Sequence, residues 1–492
     1  MLLSKMLEQI PGIHWTGNVA ADIGGISYDS RSVQKGDLFV AIKGKKEDGA
    51  RFIAQAIQNG AIAIAVEGRT DPGLEAVSIS TPDARRFLAE ISRIFYGDPS
   101  AELKLVGITG TKGKTTTSYL MESIYGCAGL RSCLAGTIET RIGEYRFHSS
   151  HTTPESADLM KFLRQAVDEK CTHGVMEVSS HSLELKRVYK TKFAVGVFMN
   201  LTHDHLDFHG DMESYFKAKH ILFSEGNGNG IESAVINSDD PFGKRLAKDV
   251  KIPLMRFGFN EPAEIRAIAF NSRFDGMDLE CATPVGKMHL RLHLIGRPNV
   301  YNVMAATGAS LGLGLDLNTI RAGVEGLKGV PGRMELVNAG QDFSVIVDYA
   351  HSPDSLQNLL ETVRQLPHEK VIVVFGCGGD RDRTKRPVMG EIAAKMSDFV
   401  FATSDNPRTE DPLGILKEIE PGLSRGTARY SIVVDRGEAI ASAITMAKRR
   451  DVVVIAGKGH EDYQIIGTKM TPFDDRKLAM ELILKRLGVN RP

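Results

Sequence analysis

A β-prone apolar run from Leu103 to Thr109 leads into Gly110-Thr111-Lys112-Gly113-Lys114-Thr115, and the SYLMESIY that follows reads as a helix. No other stretch constrains the fold as much, because strand, glycine loop and helix in that order form the α/β arrangement that binds phosphates. Glycines let backbone N–H groups approach phosphate oxygens, and the helix N-terminus adds partial positive charge. Lys114 then neutralises the β/γ end, and Thr115 offers a hydroxyl to Mg²⁺. The loop is a shortened G-x-x-G-K-T, since the first glycine of the full Walker pattern would fall on Ile108. A glycine turn with an exposed lysine is the alternative. The strand before and the helix after favour a nucleoside triphosphate site.

The length, 492 residues, exceeds what one core can serve and suggests about three domains. With 61 basic and 61 acidic residues there is no global electrostatic case for nucleic acid or an anionic membrane. Cys127, Cys133, Cys171, Cys281 and Cys377 form no C-x-x-C pair, which argues for a reducing compartment and against a disulfide framework or structural zinc. The opening MLLSKMLEQIPG carries charges inside its apolar run and lacks a signal-peptide core, and no run approaches about eighteen apolar residues. The expectation is a soluble cytoplasmic multidomain α/β protein without membrane insertion.

In the first hundred residues GISYDSRSV (25–33), GDLFVAIKG (36–44) and AIAIAVE read as strands, and DGARFIAQAIQNG reads as a helix closed by Gly60. Asp29-Ser30-Arg31 could meet a polar ligand, but an ordinary polar turn is the preferred reading. GDPS (97–100) marks a boundary. In HTTPES (151–156) Thr153 reads as an N-cap with Pro154 at the first helical position. GVMEVSSHSLEL (174–185) is a buried strand ending at Glu177, where an acid is well placed to hold Mg²⁺. His203, Asp204, His205, Asp207 and His209 form a dense cluster before Lys217, Lys219 and His220. Its spacing fits no zinc motif, so a Mg²⁺/phosphate site is favoured over zinc. EGNGNG (225–230) reads as a loop tip, Asn299 as a helix start with Asn302 on its first turn, and GVPGRMEL (329–336) as a second boundary.

The remainder repeats one theme. VIVDYAHSPDSL, VIVVFGCGGDRD, DFVFATSDNPR and DVVVIAGKGHED are strands with glycine or charged ends, separated by helical segments. That pattern predicts a parallel, doubly wound sheet whose ligands bind beyond the strands' carboxyl ends. Asp348, His351, Arg381, Asp405, Arg408 and Glu461 would share one rim.

Ten motifs occur in order along the whole chain: D-S-R, GDLFVAIKG, TGTKGKTTT, TTP, MEVSSH, N-L-T-x-D-H-L-D-x-H-G, PGRME, DYAHSPDSL, GCGGDRD and AGKGHE. Together they resemble the Mur ligases of peptidoglycan synthesis, in the branch that adds the third residue to UDP-MurNAc-L-Ala-D-Glu. The resemblance implies three α/β domains: a UDP-binding domain (1–100), a P-loop ATPase-like parallel-sheet domain (101–333) and a Rossmann-like amino-acid-binding domain (334–492). It implies an ATP-driven amide ligase working through an acyl phosphate. On this resemblance Gly110, Thr111, Lys112, Gly113, Lys114, Thr115 and Thr116 hold the ATP phosphates and a first Mg²⁺, with Asn302, Arg333, Asp348 and His351 around the nucleotide. Glu177 and His205 resemble ligands of a second Mg²⁺. Lys219 matches a lysine that the family carbamylates with CO₂, and Lys114, Lys219, His205 and Glu177 form the expected catalytic set. Ser30, Thr152, Thr153, Ser179 and Arg187 match positions contacting the UDP-MurNAc-dipeptide. Leu185 departs from relatives that carry glutamine there.

The tetrad Asp405-Asn406-Pro407-Arg408 resembles the signature of enzymes that add meso-diaminopimelate rather than lysine, and Arg381, Gly457 and Glu461 match other positions lining that site. The two amino acids differ by a terminal carboxylate, which Arg408 can grip bidentately. Three alternatives stay open. Two are ligation of lysine and ligation of glutamate onto folate, as in the related folylpolyglutamate synthetases. The third is a nucleotide switch without ligation.

Overall fold

The computed structural model describes residues 1–44, 47–68, 76–149, 151–224, 228 and 230–489, so most of the EGNGNG stretch lies outside the described residues. The chain forms two compact units, Met1–Arg266 with Asn302–Gly323 and Ala267–Tyr301 with Val324–Pro492.

The first unit holds two sheets. The N-terminal one runs His14–Thr16, Val77–Thr81, Ala63–Glu67, Leu38–Val40, Ile26–Ser27, and only the first pairing is antiparallel. The strand expected over residues 25–33 shrinks to Ile26–Ser27. Asp29 stops it: its carbonyl accepts the hydroxyls of Ser27 and Ser32, both at 2.9 Å, and its carboxylate accepts the N–H of Arg31 at 3.0 Å. Such local bonds compete with a ladder and make a polar turn.

The second sheet carries the phosphate loop. Leu254–Gly258, Ile231–Asn237, Phe193–Phe198, Lys104–Thr109, His173–Glu177 and Ser132–Ala135 lie side by side, all parallel. A hairpin, Glu139–Ile142 and Tyr145–His148, extends it antiparallel. Helices cover the parallel strands, so FAVGVF (193–198) is buried on both faces. The Lys104–Thr109 strand sits at the centre, with its carboxyl end beside those of Phe193–Phe198 and His173–Glu177. This register brings the N-L-T run and Glu177 to the loop.

In the second unit the sheet order is Glu335–Leu336, Ser344–Asp348, Val452–Ala456, Val371–Phe375, Phe399–Ala402, Arg429–Ile432. The first pair is antiparallel and the rest are parallel, as the repeated strand theme predicts. VIVVF and VVVIA are wholly buried. Arg436 and Asp475, fully buried, pair at 2.6 Å, and the same guanidinium bonds the carbonyl of Ala456 at 3.0 Å, pinning the end of the Val452–Ala456 strand. The helix expected to begin at Asn299 begins at Arg297, which puts Asn302 on its second turn.

Candidate active site

At the phosphate loop two glycines are there for steric reasons. Gly113 has φ +90°, and a Cβ on it would stand 2.4 Å from Asn302 Oδ1. Gly110, at φ +151°, would put one 2.7 Å from Met199 Cβ. Lys114 opens the helix Lys114–Cys127 and folds back, donating to the carbonyls of Gly110 (2.8 Å) and Thr111 (3.0 Å). The loop is clamped from the neighbouring strand: Lys112 N–H donates to Asn200 Oδ1 (2.9 Å), and Asn200 Nδ2 donates to the Lys112 carbonyl (3.1 Å). The N–H of Thr202 donates to Thr111 Oγ1 at 3.1 Å. Asn200 and Thr202 were not singled out from the sequence, although the N-L-T run just after a strand was visible there.

Glu177 ends its strand buried, as expected, and is held by three donors. Thr115 Oγ1 reaches Oε2 at 3.1 Å, Thr137 N–H reaches Oε1 at 2.8 Å, and Thr137 Oγ1 reaches Oε2 at 3.0 Å. Thr137 is a second residue missed by sequence reading. Its only signal is its place just past the end of the parallel strand Ser132–Ala135. Its hydroxyl also lies 3.1 Å from that of Thr152.

Thr153 is not a helix cap. The helix is Ser156–Asp168 and its N-cap is Glu155, whose side chain accepts from Ser156 N–H. The Thr153 hydroxyl donates to the carbonyl of Glu177 at 2.8 Å and accepts the Ser179 N–H at 3.2 Å, because a buried strand end offers it better-placed partners than the helix does. Ser179 caps the short helix Ser180–Glu184. Arg187 donates to the Thr153 carbonyl at 3.0 Å and pairs with Glu155 at 3.2 Å. These contacts bring Thr152, Thr153, Ser179 and Arg187 together beside Glu177. Ser30 stands elsewhere in the unit, buried, with its hydroxyl on Gln55 at 2.8 Å.

Lys219, on the helix Met212–His220, is 1 % exposed. Its Nζ donates at 3.0 Å to the Gly110 carbonyl, the oxygen that also receives Lys114. Burial first, and the Lys114 charge second, hold its pKa well below the usual lysine value, with Asp204 opposing. His205, at φ +53°, meets His181 edge-on at 4.9 Å. Burial pushes its pKa down; Asp204 and Asp207 oppose that, and Lys114 and Lys219 add to it. Among the described residues no group of three or more His, Cys, Asp or Glu side chains is arranged to hold a metal ion.

In the second unit the expected residues stand at strand carboxyl ends. Asp348 Oδ2 accepts the N–H of Met334 at 2.7 Å, Arg333 lies 4.8 Å over the Tyr349 ring, and Tyr349 meets His351 at 4.6 Å. Gly457 has φ +119°, and a Cβ there would come within 2.5 Å of Asp405 Oδ2. Asn406 Nδ2 donates to Glu461 Oε2 at 2.8 Å. Arg408, at φ +52°, donates through Nη1 to the Gly379 carbonyl at 2.8 Å. Arg381 is exposed, on the loop after Val371–Phe375; a Cβ added at Gly378 would lie 3.0 Å from Arg408 Nη1 and 3.8 Å from Arg381 Cγ. Lys458, also missed from sequence, is fully buried, with Nζ 3.1 Å from both Asn406 Oδ1 and Glu461 Oε2.

Three family models match the chain: the Mur ligase middle domain over residues 108–310, the Mur ligase glutamate ligase domain over 332–459, and the Mur ligase family catalytic domain over 22–96. A UDP-N-acetylmuramoyl-L-alanyl-D-glutamate–2,6-diaminopimelate ligase of Syntrophomonas wolfei is 46% identical, covering 98% of this chain and 99% of its own. The protein of the same name from Geobacillus thermodenitrificans is 44% identical over 99% of this chain and 100% of its own. A solved structure of a ligase of that name superposes with TM-score 0.72 and 31% identity, covering 99% of each chain.

Proposed function

The chain belongs to the Mur ligase family, and from that premise we propose that it joins meso-2,6-diaminopimelate to the D-glutamyl carboxylate of UDP-MurNAc-L-Ala-D-Glu, converting ATP to ADP and phosphate. A carboxylate is a poor electrophile. One of its oxygens attacks the γ-phosphorus, giving an acyl phosphate and ADP, and the amine then attacks the acyl carbon and phosphate leaves. Both steps develop negative charge where fixed cations and N–H donors count most.

With the Thr111 and Lys112 N–H groups held by Asn200, the N–H groups of Gly113 to Thr115 and the Lys114 ammonium are suited to the ATP phosphates, with Lys114 exchanging its loop carbonyls for phosphate oxygens. Thr115 offers an oxygen donor of the kind a first Mg²⁺ takes alongside phosphate and water, and the three bonds that fix Glu177 suit its carboxylate to a second. When bound there, Mg²⁺ supplies charge neutralisation at the transferring phosphoryl group. Asn302, Arg333, Asp348 and His351 are proposed around the nucleotide. Ser30, Thr152, Thr153, Ser179 and Arg187 are proposed on the UDP-MurNAc-dipeptide.

Lys219 is proposed as a carbamate. Two ammonium groups on one carbonyl oxygen repel each other, and burial already favours the neutral amine of Lys219. A neutral amine is the form that adds CO₂: its lone pair forms the N–C bond and one proton is released. The resulting anion suits the cation of Lys114 and, with Glu177 and His205, would hold a second Mg²⁺. The reading includes three modules bounded near residues 100 and 333, acting as a monomer. It also includes a cytoplasmic site of action, in keeping with five unpaired cysteines.

The observation that carries the choice of amino acid is the rim where Arg408 and Glu461 are each fixed by bonds around Asn406 and Gly379. A cation and an anion so placed match the carboxylate and ammonium of an amino-acid end. The test is to incubate the protein with ATP, Mg²⁺, UDP-MurNAc-L-Ala-D-Glu and either meso-diaminopimelate, L-lysine or no amino acid, and to weigh the UDP product. A mass gain with diaminopimelate alone is expected. A gain with lysine would overturn the role of Arg408, and ATP turnover with no gain would overturn ligation.

A further inference from the structure

We propose that Lys458 is a positioning residue that sets the amino-acid specificity of the rim, by holding Glu461 and Asn406 in place so that Glu461 does not satisfy its charge elsewhere. The proposal rests on the reading that this rim takes diaminopimelate.

The side chain of Lys458 is wholly removed from water. Burying an ammonium is costly even when it is paired, and an apolar side chain of similar length would fill the space at less cost. Stability alone therefore does not explain a lysine here. Its bonds do. Asn406 Oδ1 accepts from Lys458 Nζ at 3.1 Å and from the N–H of Ile465 at 3.0 Å. Two donors on one side fix which end of the amide is oxygen, and so turn Nδ2 onto Glu461 Oε2 at 2.8 Å. The same Oε2 takes Lys458 at 3.1 Å. Both of these bonds fall on Oε2 and neither on Oε1, the oxygen proposed to meet an ammonium. The tetrad is also tied to a hairpin formed by Tyr463–Ile466 and Lys469–Pro472: Gln464 Nε2 donates to the Asp405 carbonyl at 2.8 Å, and Arg408 N–H donates to the Ile465 carbonyl at 3.1 Å.

The physical need is clear. A rim that presents a guanidinium and a carboxylate to a zwitterionic ligand risks closing on itself, since the two charges attract each other. A cation set behind Glu461 competes for that carboxylate, and Arg408 is left for the ligand. Asn406, within the tetrad, links Lys458 to Glu461.

The test uses the full chain with Lys458→Met, measuring kcat and the KM of each of the three substrates from product formation. The expected result is a rise of about tenfold or more in the KM for diaminopimelate, the loss of a charged hydrogen bond. The KM values for ATP and the UDP substrate should stay within about twofold, the measured form of a site-confined effect. In a Glu461→Gln background the same substitution should add little, because its effect runs through that carboxylate. An unchanged diaminopimelate KM, equal rises in all three KM values, or additive losses in the double variant would each overturn the proposal. If Lys458→Met does not fold, Asn406→Ser cuts the same link while leaving the lysine in place, and the same outcomes decide. Product from the wild type with diaminopimelate is the control. Its absence would sink the functional reading, whereas its presence beside an unshifted variant would sink this inference alone.

Discussion

Lys219 and Lys458 are both shut away from water, yet their surroundings are opposite in kind. Lys219 has a carbonyl that it shares with a second ammonium, and its charge is disfavoured. Lys458 has a carboxylate and an amide oxygen, each at 3.1 Å. The first is a lysine whose surroundings disfavour the cation, the second a lysine whose cation is met by a carboxylate. Burial alone therefore says nothing of a lysine's task; what it faces does.

The largest effect should separate the two regions by substrate. Arg408→Ala is expected to collapse discrimination between diaminopimelate and lysine from about 10⁴ toward unity, since lysine no longer leaves a guanidinium unpaired. Competition assays with both amino acids read this directly, and retained discrimination would move specificity off Arg408. Next, Lys219→Ala should lower kcat by on the order of 10²–10³-fold, the scale for losing a charge-stabilising group, and added bicarbonate should not restore it. Full activity in that variant would remove the carbamate and make the two lysines alike.

A smaller effect is expected at Thr137. Thr137→Val keeps the backbone donor to Glu177 and removes the hydroxyl, so the Mg²⁺ concentration for half-maximal rate should rise by about tenfold, with Thr137→Ser close to wild type. Titration of Mn²⁺ binding by electron paramagnetic resonance gives a readout independent of turnover. The smallest effect lies in the second unit's ion pairs. The buried Arg386 holds the Glu410 carboxyl down at about 2, chiefly through hydrogen bonds, with the Asp380 N–H adding. A depressed carboxyl contributes stability above its unfolded value of 4.5 and loses it as pH falls through about 2. Glu410→Gln should therefore lower Tm by about 2 °C at neutral pH, and the gap should close between those two values. A gap that persists at low pH would place the effect in packing instead.

The same two regions show what was legible in the chain. The phosphate loop is local: strand, two constrained glycines and a helix-opening lysine all lie within Leu105–Thr117, and the sequence order is the geometry. The parallel sheet of the second unit was legible because strands buried on both faces are uniformly apolar, as in VIVVF and VVVIA. What failed was whatever depends on partners far along the chain. Thr153 has the local look of a cap, yet Glu177 and Ser179 lie across the fold and take its hydroxyl. Thr137 meets Glu177 only through a strand register, and Asn200 meets Lys112 only because Phe193–Phe198 lies beside Lys104–Thr109. Lys458 drew no reading from the sequence, where it stands between two glycines; its burial depends on the tetrad and the hairpin packed around it.

The most direct test of ligation through an acyl phosphate follows an oxygen atom. UDP-MurNAc-L-Ala-D-Glu labelled with ¹⁸O in the D-glutamyl carboxylate would be turned over with ATP and meso-diaminopimelate, and the released phosphate analysed by mass. One labelled oxygen in the phosphate, formed in step with the UDP-tripeptide, is the expected result, because the attacking carboxylate oxygen leaves with phosphorus. Unlabelled phosphate would mean that water, not the carboxylate, attacks ATP, and would contradict the proposed reaction at its first step.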